Sequence, residues 1–160
     1  MASVNDVAAY ILHRKGSMST WKLQKLAYYA QAWHLAWRDS ALFDSRIEAW
    51  ANGPVVRELY NQHRGYFNVD VWRGQPGALT PDQQVVIDSI LGAYGDLSGR
   101  QLSYLTHMES PWRDARAGLG PTERSEAEIT WSSMAAFYSA LDVDERARPV
   151  AELDWSSADA

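Results

Sequence analysis

Between residues 23 and 37, apolar side chains recur three and four positions apart. Leu23, Leu26, Ala27, Ala30, Trp33, His34 and Trp37 share one stripe of an α-helix. The spacing predicts a long helix over 19–38, with Ser19 or Thr20 offering a hydroxyl to the first-turn amides. Tyr28, Tyr29 and Gln31 lie off the stripe, so a second face also carries large side chains and the helix is expected to be surrounded by others. Upstream, Val4, Val7, Ala8, Ile11 and Leu12 predict a first helix, capped by Ser3 or Asn5 and closed by Gly16.

Beyond the central helix the pattern changes. Residues 41–51 fit neither period and read as a loop with at most one short extended piece. Asn52-Gly53-Pro54 reads as a sharp turn that starts a helix at Pro54, with Val56, Leu59, Tyr60 and His63 on one face. In the Gly-rich and aromatic stretch 65–79, Val69-Asp70-Val71-Trp72 is a short strand or a surface lining. Three capping boxes are predicted, at Thr80/Gln83, Ser98/Gln101 and Ser125/Glu128. They open helices that bury Val86, Ile87, Ile90, Leu91 and Tyr94, then Leu102, Leu105 and Met108, then Met134, Phe137, Tyr138 and Leu141. Pro111 breaks the second of these and can start a short turn. The expectation is one mainly α, compact multi-helix domain over 1–141 with a long central helix, room for one short β-hairpin, and a charged tail over 142–160.

Composition narrows the class. A chain of 160 residues with 46% hydrophobic positions can bury one core, and the absence of cysteine removes disulfides and thiolate chemistry and suits a reducing cytoplasm. No apolar run is long enough to span a membrane. The formal net charge of -5 makes nucleic acid an unfavourable partner, because such binding draws on clustered cations.

Little in the chain suggests catalysis. His34, His63 and His107 lack metal-ligand spacing, and on helical stripes His34 and His63 read as hydrogen-bonded core or boundary residues. His107 beside Glu109 is a conceivable proton-transfer pair, but no nucleophile, oxyanion motif or phosphate loop accompanies it. The eight tryptophans say more, since Trp is enriched at interface anchors. Trp33 and Trp37 are assigned to the core; Trp50, Trp72, Trp112 and Trp155, near loops or breaks, are candidate exposed platforms. No metal or cofactor is expected.

Three blocks together carry a resemblance: LQKLAYYAQAWHLA at 23–36, EAWANGPVVRELY at 48–60 and YGDLSGRQLSYLTHMESPW at 94–112. In this order and spacing they resemble the Panacea domain, the SocA-like antitoxin family also met in phage-associated proteins, over about residues 4–141. The resemblance implies a helical, non-enzymatic antitoxin of a toxin–antitoxin system that neutralises, by direct protein–protein contact, a cognate toxin encoded by a neighbouring gene. It singles out Gly53 and Pro54 in the G-P-V turn and His107, Pro111 and Trp112 in the H-x-x-x-P-W element.

Exposed aromatics and the acidic surface are expected to engage a basic toxin, with residues 142–160 a place where specificity could reside. A homodimer is compatible with the same features. The alternative is a DNA-binding transcriptional regulator with helix-turn-helix-like helices, for which Arg14, Lys15, Lys22 and Lys25 supply a modest basic cluster.

Overall fold

A computed structural model describes residues 1–146; Trp155 and the rest of the predicted tail beyond 146 lie outside the described residues. The mainly α architecture is present. Helix α1 (Val4–Lys15) starts where the Ser3 hydroxyl accepts from Asn5 N at 3.2 Å and ends at Gly16, whose positive φ of 83° turns the chain away. A two-residue strand β1 (Met18–Ser19) leads into α2 (Thr20–Arg38), with Ser19 Oγ accepting from Lys22 N at 3.0 Å. Every residue of α2 from Leu23 to Leu35 is buried, because α1, α4 (Pro81–Tyr94), α5 (Gly99–His107) and α7 (Trp131–Tyr138) all pack around it. Both apolar faces read from sequence are thus covered, and Trp33 on the stripe and Tyr29 off it both meet Tyr94 of α4 and Tyr138 of α7.

Two glutamines on α2, seven residues apart and so on one face, join the helix to extended backbone. Gln31 Oε1 accepts from Leu42 N at 2.7 Å while its amide donates to Phe43 O at 2.7 Å. Gln24 does the same for Val56, accepting from its N–H at 2.7 Å and donating to its carbonyl at 3.2 Å. Buried backbone that lacks a strand partner is satisfied this way.

The short extended piece allowed within 41–51 is present at residues 47–50, whereas the helix predicted to start at Pro54 is corrected. Strands β2 (Ile47–Trp50) and β3 (Gly53–Val56) form an antiparallel hairpin, and α3 (Arg57–His63) begins only after it. Pro54 is tolerated in the strand because it faces Ala49, whose N–H points the other way, to Ala127 O at 2.8 Å. Pro54 therefore occupies a pair position that needs no amide.

On its far edge β2 also receives Ile129 N, which donates to Ile47 O at 2.8 Å, and Glu48 bridges to Glu128. This pairing displaces the capping box predicted at Ser125/Glu128. The backbone there is extended, Ser125 Oγ accepts from Ala127 N, and α7 is capped instead by Thr130, whose hydroxyl accepts from Ser133 N at 3.2 Å.

The boxes at Thr80/Gln83 and Ser98/Gln101 form as expected. Of the 69–72 piece, only Val69 joins a strand, β4 (Asn68–Val69), which pairs with β1. Met108 is exposed, not buried, since it caps α5. Helix α6 (Ser110–Ala115) starts around Pro111. The first described residues of the predicted tail also differ from expectation: α8 (Val143–Arg146) is one helical turn that brings Arg146 to the core.

Candidate functional site

The hairpin β2–β3 lies over the N-terminal half of α2 and over α5, and its turn fixes the site. Gly53 adopts φ 116°, and a Cβ there would stand 2.5 Å from Lys25 Cε and 3.1 Å from Thr106 Oγ1. Only glycine allows this approach. Ser103 Oγ donates to Asn52 O, fastening the turn to α5. Behind the hairpin, Trp112 Nε1 donates to Trp50 O at 2.7 Å, and Arg116 donates to Ala49 O at 3.0 Å and to the carbonyls of Gly120 and Glu123.

Trp112 is therefore buried, at 6% exposure, and the expected exposed platform is corrected. Its ring stacks on His107 with centroids 3.9 Å apart and carries the Arg116 guanidinium at 4.9 Å. Pro111, Gly53 and Pro54 are buried as well. Trp50 and Trp72 are half-buried and end a single row of rings, Trp50–Tyr60–His63–Trp72, with centroids 4.7, 5.6 and 6.3 Å apart.

A cleft of about 510 Å³ opens between the hairpin and the start of α2. Trp21, Trp50, Tyr60 and His63 line it together with Arg57, Arg64, Arg124 and Glu126. Lys25 also lines it, although only 1% of its surface is exposed. Among the described residues no hydrogen bond or ion pair engages its ammonium. Burial pushes its pKa down to about 7. Lys25 in turn acts on two histidines: burial first, then this lysine, lowers both His63 and His107, the latter to about 4. The Gln24 amide donates to His63 Nε2 at 2.9 Å, which places the neutral ring's proton on Nδ1. His107 Nε2 is buried with no hydrogen-bond partner among the described residues.

A second buried ionisable group, Glu109, does not meet His107. Tyr29 and Tyr138 donate to its Oε1 at 2.7 and 2.8 Å, and Arg146 donates to Oε2 at 3.0 Å. Tyr138 spends its proton on Glu109, so Tyr28, 3.1 Å from the Tyr138 hydroxyl, is the donor between those two. Burial raises the Glu109 carboxyl despite these donors. For Glu48, burial acts in the same direction, but the Trp50 indole with Arg46 and Arg57 outweighs it and holds the pKa low.

The basic cluster considered for DNA does not assemble as a free surface. Arg14 pairs with Asp88 at 3.3 Å and Lys15 with Asp96 at 3.1 Å, Lys22 donates to Gly95 O at 2.6 Å, and Lys25 is interior. His34, as expected, is hydrogen-bonded, donating from Nδ1 to Ser40 O at 2.6 Å.

Of the residues singled out from sequence, Trp50, Gly53, Pro54, His107 and Trp112 converge on the hairpin and Trp72 ends the aromatic row. Sequence reasoning missed Lys25 as a buried group. Its signal was present, because position 25 falls between the apolar residues Leu23 and Leu26 on a helix expected to be central. It also missed Arg116, Gln24 and the exposed loop residues Tyr66 and Phe67.

The architecture defines a helical protein with a hairpin-bounded, aromatic-lined cleft. The sequence model of the family "Antitoxin SocA-like, Panacea domain" matches residues 23–113, more than half of the chain, and the protein belongs to that family. The match runs from α2 into α6 and contains the hairpin and the cleft floor. No curated protein and no solved structure matches the chain.

Proposed function

We propose that this protein is the antitoxin of a toxin–antitoxin pair and neutralises its toxin by binding it directly, with no chemistry of its own. Family membership supports an antitoxin role, and the toxin is taken to be the product of an adjacent gene. The observation that carries the binding mode is the apolar edge beside the cleft. Phe67 is 87% exposed, Tyr66 67% and Val71 78%, with half-buried Trp72 on the same segment.

This edge is held in place, since Thr20 N donates to Phe67 O at 2.8 Å and the Thr20 hydroxyl donates to Tyr66 O at 3.2 Å. Trp21, also exposed, follows directly and donates to Asn52 O at 3.4 Å. Large rings kept outward on pinned backbone lose little entropy on association, which suits anchor residues. The working location proposed is the cytoplasm, where such a partner is made; among the described residues no helix is long and apolar enough to cross a membrane.

Co-expression with the adjacent open reading frame tests the proposal. Growth rescue and co-purification are expected, and the Phe67→Ala/Trp21→Ala double variant should lose both while keeping its melting temperature. Absence of rescue and of co-purification with the wild-type chain would remove the antitoxin reading.

A further inference from the structure

We infer that the cleft beneath the hairpin is a receptor for an acidic side chain of a partner polypeptide, with the Lys25 ammonium as the buried counter-charge at its floor. The inference rests on the proposed antitoxin function and names the chemistry that the partner must bring. A lysine this deeply buried is normally paired, because an isolated ammonium is costly away from water. Among the described residues no carboxylate reaches it, although two carboxylates, Glu48 and Glu109, are buried elsewhere and are each met by arginine. Lys25 lines a cavity large enough for a side chain and its flanking backbone.

The surroundings select the sign and the source. The mouth carries Arg57, Arg64 and Arg124 and one lining carboxylate, Glu126, 3.5 Å from both Arg57 and Arg124; Arg57 also meets Glu48 at 3.4 Å, and Lys25 and three arginines still outnumber these two acids. The cleft is therefore cationic on a chain whose overall charge is -5. That reverses the expectation that an acidic face meets a basic partner, at least at this site.

A free small carboxylate would leave the neighbouring Trp21 and Phe67 uncovered, whereas a segment of polypeptide can seat an Asp or Glu on Lys25 and lay apolar residues on that edge. Gly53 leaves room for the lysine stem beneath the turn, since a Cβ there would stand 2.5 Å from Lys25 Cε and 3.4 Å from its ammonium nitrogen.

The probe is a random twelve-residue peptide display library, selected on the full chain and on Lys25→Met, whose unbranched side chain fills the same space without charge. Peptides recovered on the wild type should carry Asp or Glu beside apolar residues. Synthesised singly, each should weaken roughly thirty-fold or more on Lys25→Met, and similarly when its acid is changed to the amide. Arg64→Glu, an exposed change, should slow association. Neutral or basic peptides recovered equally on both proteins, no recovery on either, or full displacement by millimolar acetate would each overturn the inference.

Co-expression separates this inference from the reading beneath it. If Lys25→Met still neutralises the toxin as the wild type does, the acidic anchor falls and the antitoxin function stands. If the wild type itself fails to neutralise, the antitoxin function falls and the peptide selection alone decides whether the cleft binds acidic segments.

Discussion

Replacing Lys25 by methionine should make the protein more stable at pH 6, and the gain should fade as the pH rises. The lysine has an ordinary pKa of 10.5, lowered to about 7 by burial in the folded chain. At roughly 1.4 kcal/mol per pH unit the difference corresponds to at most roughly 5 kcal/mol, and water in the cleft reduces it. Below pH 7 the ammonium is charged in both folded and unfolded chains, so the folded state bears the full penalty. Between pH 7 and 10.5 the unfolded chain binds the proton that the folded chain has released, so wild-type stability rises with pH. Above 10.5 both forms are neutral and the penalty is gone.

His63 and His107, pushed down by burial and by Lys25, are present in both proteins, and the ordinary histidine value of 6.5 lies below the range above pH 7 in which the slope is read. Lys22, also lowered by burial, is common to both proteins and cancels in the comparison. Urea denaturation of both chains at pH 6, 7, 8 and 9 gives the difference directly, which should shrink by about 1.4 kcal/mol per pH unit above pH 7. A methionine variant less stable at pH 6, or a difference constant with pH, would refute the picture of an unpaired buried ammonium.

Other substitutions test the frame around it. Gly53→Ala should cost more than roughly 1 kcal/mol, because it strains a positive φ and meets the Lys25 stem. Gly77→Ala, where the added methyl meets open space, should stay within about 0.5 kcal/mol by the same denaturation assay. Glu109→Ala strands Arg146 and the hydroxyls of Tyr29 and Tyr138, and a loss of roughly 3–5 kcal/mol is expected; a loss under 1 kcal/mol would show that these donors find water instead. Gln31→Leu leaves the Leu42 and Phe43 amides without an acceptor and should cost about 1–3 kcal/mol, with faster hydrogen exchange at those two amides.

Local sequence was sufficient for most helices. Ser3, Ser19, Thr80 and Ser98 cap the helices predicted for them, since a hydroxyl and the amides it serves lie within three residues and need no distant partner. It was insufficient where a distant segment competed. Residues 127–129 pair with β2 across some eighty positions, which replaces the expected helix start at Ser125 by extended backbone. Pro54 accepts a strand because Ala49 turns its amide toward those same residues.

The central helix, its two buried faces and the family of the protein were all legible in residues 23–37 and the blocks that follow. Whether a buried lysine has a counter-charge was not, because the answer depends on which carboxylates from other elements come within a few ångströms. Glu48 and Glu109 are held by arginines brought from elsewhere in the chain, so among the described residues Lys25 lines the cleft without a counter-charge, and the tertiary structure alone makes that assignment.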